Sequence, residues 1–160
     1  MPSHWGRRPA QRDWLKQFCV GRGLDIGCGH QKIHPDAIGI DVLKGPKCVA
    51  EIHASGDELD FLTTGQWDYI VSCQALEHIA DTKKSLRGWL RILKPGGIVA
   101  VTVPDGSREP RAVLDARHLS AFTPDLLALF FEDCGFKVEE VLSVEEAGWP
   151  TIMLRARKPD

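Results

Sequence analysis

Apolar and polar positions along this chain alternate between two periods, and the switches between them mark its elements. Residues 9–19 (PAQRDWLKQFC) repeat at helical spacing, with Trp14, Phe18 and Cys19 roughly on one face. Short apolar runs at about 22–26, 37–41 and 48–53, and Trp67 to Cys73 (WDYIVSC), have the length and β-branched content of strands. Asp81 or Thr82 can cap a helix running to about Leu93, with Leu86, Trp89, Leu90 and Leu93 as its apolar stripe and Lys83, Lys84, Arg87 and Arg91 facing water. Lys94-Pro95-Gly96-Gly97 stops it. Ile98 to Val103 (IVAVTV) is almost uninterruptedly apolar, as expected at the centre of a parallel sheet. Residues 105–121 read as polar and irregular. Thr123-Pro124 then opens a helix in the favoured cap-then-proline order, Leu126, Leu127, Phe130, Phe131 and Cys134 form its buried side, and Gly135 ends it. Strands near 136–142 and 151–157 flank Gly148 and Pro150 and are predicted to pair as an antiparallel hairpin. Strands separated by crossovers, closed by a hairpin, define an α/β fold with a mostly parallel seven-stranded sheet and an antiparallel C-terminal edge.

The first crossover is abnormal. His30 to Asp36 is only seven residues. Fully extended, such a link reaches about 24 Å at roughly 3.4 Å per residue, against about 17 Å for a five-residue strand. It can return to the start of the next strand only if nearly extended or holding one short turn. The second crossover, Val42 to Lys47, contains Gly45 and Pro46 and has no room for a helix either. Helices are therefore reduced on one face of the sheet. Only the 9–19 segment, with Trp5 just before it, is left to cover that face. The side near strands two and three is expected to be under-covered, and a homodimer or a partner protein would cover it. The alternative is that Lys44, Lys47 and Glu51 keep that edge polar enough to stay bare.

Composition narrows the class. The 160 residues read as a single domain, 1–160, with 1–20 as an N-terminal helical segment. A formal charge of −2 argues against a dedicated nucleic-acid binder. No run is long and apolar enough for a membrane span, and the first residues lack the apolar core of a signal peptide. The five scattered cysteines read as free thiols of a cytoplasmic protein. Cys28, His30, His34, Cys48 and His53 lie close in sequence, but their spacing fits no closed tetrahedral set, and no metal site is read.

Candidate chemistry gathers at the carboxyl ends of the strands, where open α/β sheets bind ligands. The positions are the 27–29 glycine turn, Asp41, the 53–57 segment, Ser72 to Gln74, and Asp105. A dinucleotide would need G-x-G-x-x-G followed by a helix N-terminus for its pyrophosphate. Here the turn continues Gly29-His30-Gln31-Lys32 into a link with no room for that helix. A ligand without phosphate escapes the requirement, and S-adenosylmethionine is one.

The ordered motifs resemble class I S-adenosylmethionine-dependent methyltransferases of the small-molecule type. They are Leu24-Asp25-Ile26-Gly27-Cys28-Gly29, Gly39-Ile40-Asp41, Trp67-Asp68-Tyr69-Ile70, Leu76-Glu77-His78, Leu93-Lys94-Pro95-Gly96-Gly97 and Val103-Pro104. His118, Ala121-Phe122-Thr123 and Gly135-Phe136 are similar to later parts of such chains, so the likeness covers about residues 20–140. It implies a three-layer Rossmann-like fold and S-adenosylmethionine as cofactor. By that resemblance Asp25 and Gly27-Cys28-Gly29 form the methionine end of the site, and Asp41 with Val42 takes the ribose. The 53–57 segment holds adenine, through Asp57 or Ser55, and Ser72, Cys73 and Gln74 lie beside the sulfonium. Gln31 stands where the pattern usually has a third glycine. Asp105 and His118 fall on the acceptor side and are the candidate catalytic groups, while Glu77 and His78 are expected to orient the loop above the cofactor. The implied activity is methyl transfer to a small-molecule, sugar or lipid-linked biosynthetic acceptor. The alternative is a degenerate module of the same fold that binds a partner without catalysis.

Overall fold

The computed structural model describes residues 9–160, so Trp5 lies outside the described residues. In chain order the elements are α1 (Pro9–Lys16), β1 (Gly23–Ile26), β2 (Ile38–Asp41), β3 (Ile52–His53), β4 (Trp67–Cys73), α2 (Thr82–Ile92), β5 (Leu93–Pro104), α3 (Pro110–Leu114), α4 (Pro124–Asp133), β6 (Lys137–Glu146) and β7 (Trp149–Arg157). The strands form one seven-stranded sheet in the order β3-β2-β1-β4-β5-β7-β6. The first five pair in parallel, and β7 runs antiparallel to both β5 and β6. This is the Rossmann-like methyltransferase topology, with the hairpin inserted at the edge. No helix among the described residues is long and apolar enough to cross a membrane.

Strand alternation assigns the two faces. Leu24, Ile26, Ile70, Val99, Val101 and Val103 point into the larger core, where α2 contributes Leu86, Trp89 and Ile92 and α4 contributes Leu127 and Phe131. Tyr69, Val71 and Ala100 point the other way, against Leu15 and Phe18 at the end of α1. The sheet is thus the middle of three layers, and among the described residues its second face is covered by one eight-residue helix, α1.

The seven-residue link completes that second face without a helix. Ile33 is buried there beside Phe18 and Ala37. Its backbone N–H donates to the Asp25 carboxylate at 2.6 Å, and Asp25 is 1% exposed. The Arg12 guanidinium, on α1, donates to the carbonyls of Gln31 (3.0 Å) and Lys32 (2.7 Å). The Lys32 ammonium reaches the Ala37 carbonyl and the Glu51 carboxylate. One-turn bonds from Gln31 N–H to the Cys28 carbonyl and from Ala37 N–H to the His34 carbonyl fold the link without any helix.

These contacts correct the expectation of a bare apolar face near strands two and three. On that side Ala37, just before β2, is buried and β2 carries Gly39, with Glu51 beside them, while Ile38, Ile40 and Ile52 turn into the larger core. A Cβ on Gly39 would lie 2.7 Å from the Cys28 sulfur and 3.1 Å from a Glu51 oxygen, so the space a helix would cover is closed by small residues and a Lys–Glu pair. Val42 and Leu43 are exposed, but they line the ligand cleft described below rather than the sheet face.

Three further differences from the sequence pattern are local. Strand three shrinks to Ile52–His53, although Glu51 N–H still bonds the Gly39 carbonyl. Strand five begins at Leu93, directly at the end of α2, because Leu93 is already extended and pairs with Trp67 across a bulge. Segment 105–121 holds α3, begun by Glu109, whose carboxylate accepts from Arg111 N–H, followed by Pro110.

Burial pushes Asp25 up to about 6, although Ile33 N–H, Arg12 and Lys32 pull it down. The folded chain therefore keeps this proton to higher pH than the unfolded chain, whose carboxyl ionises near 3.9. The stability from this group is whole below about pH 4 and is lost as pH rises through about 6. Asp25→Asn keeps an acceptor for Ile33 N–H and cannot ionise. Relative to the unsubstituted protein it should gain on the order of 3 kcal/mol between pH 4 and pH 8. Chemical denaturation at both pH values measures this. A difference between the two proteins that does not change with pH would remove Asp25 as a buried titrating group.

Candidate functional site

A cleft of about 840 Å³ opens at the carboxyl ends of β1, β2 and β4. That volume lies in the range of small-ligand sites. Its floor is the glycine turn after β1. Gly27 has φ +79°, and a Cβ there would lie 2.2 Å from the Cα-bound methyl carbon of Ala75, so backbone and neighbour both require glycine. Gly29 has φ +54° with open space around it, so only its backbone conformation asks for glycine. Gln31 does not have a positive φ. Its carbonyl is held by Arg12, and a third glycine is unnecessary here.

Asp41 ties the turn to the end of β2. One carboxylate oxygen accepts Gly29 N–H at 2.8 Å, and the other accepts Leu43 N–H at 2.8 Å. A carboxylate has about four acceptor sites, so both oxygens keep lone pairs for a ligand's hydroxyls. Beyond it, Val42, Leu43, Ala54, Ser55 and Ile79 make a slot with apolar sides. Gly56 lets this slot pack: a Cβ would meet Ile79 at 2.6 Å and Ile26 at 3.0 Å, and Trp89 Nε1–H caps its carbonyl at 2.9 Å.

At the end of β4, Gln74 has φ 52°, a conformation uncommon for a residue with a side chain. Its N–H donates to the Thr102 carbonyl, and its side-chain amide donates to Gln11, which in turn donates to the Thr151 hydroxyl. Gln11 is fully buried. So α1, besides covering the sheet, holds the strained residue in place and brings Arg12 to the cleft wall.

Eight of the sequence-derived cofactor residues line this cleft: Gly27, Cys28, Gly29, Asp41, Val42, Ser55, Cys73 and Gln74. Three do not. Asp25 lies beneath the turn, holding Ile33. Ser72 is fully buried in the sheet, on the face opposite Cys73. Asp57 turns to the start of α2 and accepts Asp81 N–H at 3.2 Å. The thiol of Cys28 is pushed up to about 12 by burial and the nearby carboxylates, so it packs rather than reacts. Arg12, His78 and Arg117 also line the cleft; the sequence reading had no place for Arg12 and Arg117 there.

The two candidate catalytic groups are not on the cleft wall. Asp105 is fully buried, and its oxygens accept from Ser107 N–H, the Ser107 hydroxyl and the Ser143 hydroxyl. These donors, with Arg108, hold it below the usual carboxylate range, although burial opposes them. Its geometry is that of a turn organiser. His118 lies one layer back: its side chain is 6% exposed, and Nδ1 donates to the Ala112 carbonyl at 2.7 Å.

What reaches the cleft is His78, at the end of the 3-10 turn Leu76–His78 after β4. Segment 115–120 docks on this turn. Leu119 and Ser120 N–H both donate to the Glu77 carbonyl, and His78 Nδ1 donates to the Arg117 carbonyl at 2.9 Å. The His78 and His118 rings meet edge to face, 4.8 Å between centroids. Burial holds His78 below the ordinary imidazole range, against the Arg117 carbonyl, which raises it. The Cys28, His30, His34, Cys48 and His53 set does not assemble. His30 and His53 instead bond the Lys47 and Leu43 carbonyls.

Comparison with known proteins places the chain among relatives. The ubiquinone biosynthesis O-methyltransferase of Ruegeria pomeroyi is 35% identical over 132 residues, covering 68% of this chain and 52% of that protein. The chain spans about half the length of the curated relatives it matches. Among solved structures, the 1,6-didemethyltoxoflavin-N1-methyltransferase of Burkholderia thailandensis, solved with its substrate and S-adenosylhomocysteine, superposes with a TM-score of 0.76 at 19% identity. That match covers 98% of this chain and 81% of that one. A methyltransferase-like chain from Haloferax volcanii, solved in complex with the activator Trm112, gives a TM-score of 0.73 at 16% identity, over 93% of this chain and 88% of that one. Both structures share the fold. The family model described as "Methyltransferase domain" matches residues 6–141. The chain belongs to this family of S-adenosylmethionine-dependent methyltransferase domains.

Proposed function

We propose that this chain transfers the methyl group of S-adenosylmethionine to a hydroxyl of a small biosynthetic acceptor. The observation that carries the reading is one continuous cleft that joins the glycine turn, Asp41, the Ser55 slot and Gln74, with His78 also in its wall. The relatives named as O-methyltransferases support oxygen as the acceptor atom. A third glycine is not required by the backbone here, because Gln31 has no positive φ. The five free cysteines suit a reducing compartment, and we place the chain in the cytoplasm.

In this reading the two ribose hydroxyls donate to the remaining lone pairs of Asp41. Adenine lies between Val42, Leu43 and Ile79, near Ser55. Arg12 faces the methionine carboxylate beside the glycine turn. The acceptor oxygen attacks the methyl carbon in line with the carbon–sulfur bond, which breaks to leave a neutral thioether. The leaving group is good, so positioning supplies most of the rate. A hydroxyl must still lose its proton. The acceptor end offers the Glu77–His78–His118 group for this. With Nδ1 donating to the Arg117 carbonyl, the basic nitrogen of His78 is Nε2.

Two substitutions test the assignment. Asp41→Asn removes the charge and turns an N–H toward a backbone donor. Charge-assisted hydrogen bonds contribute about 1.5 to 3 kcal/mol, so S-adenosylmethionine should bind at least roughly tenfold more weakly by calorimetry in a protein that still melts cooperatively. Undiminished binding would take Asp41 out of the site. His78→Gln should lower kcat by roughly 100-fold or more, with cofactor affinity changed by less than about threefold. The measurement is transfer of a labelled methyl group across a panel of hydroxylated acceptors. If the variant turns over normally, the acceptor end has been assigned to the wrong residues.

A further inference from the structure

We propose that Arg117 is a specificity-determining residue and that the acceptor carries a carboxylate, which Arg117 binds at the cleft wall. This rests on the methyl-transfer reading and names the class of acceptor.

The full charges among the cleft-lining residues are Arg12, Asp41 and Arg117. In that reading Asp41 meets the ribose and Arg12 the methionine carboxylate. Arg117 has no counterpart in the cofactor, which itself brings a positive sulfonium. With a neutral acceptor, the Arg117 charge is offset only by Asp115 on its own segment. A carboxylate on the acceptor adds the opposite sign inside the cleft, where partial exclusion of water strengthens the attraction.

Arg117 is anchored at several points. Its N–H donates to Asp115 Oδ1 at 3.0 Å, and its carbonyl accepts His78 Nδ1–H at 2.9 Å. Its Nε and Nη2 donate to the two Asp115 oxygens at 2.9 and 2.6 Å. A guanidinium has about five N–H donors in one fixed plane, so Asp115 takes only part of the set. The side chain is 63% exposed, which leaves it within reach of a ligand in the cleft. Because the fork is already held, less side-chain entropy is lost when a ligand binds.

Its place relative to the chemistry follows from His78. Burial is the main reason that this imidazole lies below its ordinary range, and the charges of His118 and Arg117 add to it. The guanidinium is therefore within electrostatic reach of the ring that receives the acceptor hydroxyl. One small molecule can put a carboxylate on Arg117 and a hydroxyl at His78, as a hydroxybenzoate or a short hydroxy acid does. A single guanidinium shared with Asp115 suits a monoanion, whereas a phosphate dianion asks for more donors.

The test uses pairs of probes that differ only in this charge: 3- and 4-hydroxybenzoate with their hydroxybenzamides, and lactate with lactamide. Calorimetry on the full chain saturated with S-adenosylhomocysteine gives their affinities. In at least one pair the acid should bind at least roughly tenfold more tightly than its amide. Arg117→Gln should bring that pair within about twofold, and Arg117→Lys should keep part of the preference. Arg117→Glu should reverse the order, so that 4-hydroxybenzylamine binds better than 4-hydroxybenzoate. A merely structural role would weaken acid and amide alike, and that result overturns the assignment. No preference for the acid in any pair, or a preference that survives Arg117→Gln, overturns it too. Calorimetry with S-adenosylmethionine on the unsubstituted protein separates the two levels. Failure to bind there defeats the methyl-transfer reading and this inference with it. Cofactor binding without acid preference defeats only the carboxylate.

Discussion

A seven-residue crossover between β1 and β2 is the constraint on which the rest of the molecule depends. A parallel sheet is apolar on both faces and is normally covered on both. Here there is no length for the helix that would do it. The chain answers with one buried carboxylate and one guanidinium. Asp25 holds the link from below through Ile33 N–H, and Arg12 holds it from the side through the Gln31 and Lys32 carbonyls. Residues on the exposed side of β2 are kept small, and the Lys32–Glu51 pair closes the remainder. Because the link starts at the glycine turn, the same contacts fix where that turn lies.

The compromise has a consequence for the ligand. Without a helix after β1, no helix N-terminus faces the cleft at the glycine turn, and a pyrophosphate would find no oriented dipole there. Fixed charge is supplied by Asp41 at the end of β2, and Arg12 also lines the cleft. An acidic group at the end of β2 and a basic group on the cleft wall suit a nucleoside that carries an amino acid. They suit a dinucleotide poorly. Asp41 also accepts Gly29 N–H, so a carboxylate that lines the cleft is the one that sets the turn.

How much of this was legible in the chain follows from the range of each interaction. The strands, α2, α4 and the hairpin rest on local periodicity and caps such as Asp81 and Thr123, whose side chains accept Lys84 and Leu126 N–H as their positions predict. Asp41 and the glycine turn were readable because a strand end and a turn are local features. Ser72 was misplaced by one residue of a period-two pattern: Cys73 faces the cleft, and Ser72 the core. Asp105 was misjudged because its partner Ser143 is 38 residues away, on β6. Arg12 was missed for the same reason, since its role exists only once α1 has packed beside the link. The start of α3 did leave a signal, Glu109-Pro110, in the same cap-then-proline order as Thr123-Pro124.

The acceptor end shows how the fold turns distant residues into one group. Glu77 and His78 follow β4, and His118 follows α3, about 40 residues later. Three backbone-mediated contacts bring them together: Leu119 and Ser120 N–H on the Glu77 carbonyl, and His78 Nδ1 on the Arg117 carbonyl. These bonds help to set the orientation of the Glu77 carboxylate and of both imidazole rings. Under the proposed methyl-transfer reading, groups already aimed need no rearrangement at the moment of reaction. The segment that carries His118 also carries Arg117, which lines the cleft. Any movement of this segment would therefore change the cleft wall and the Glu77–His78–His118 group together.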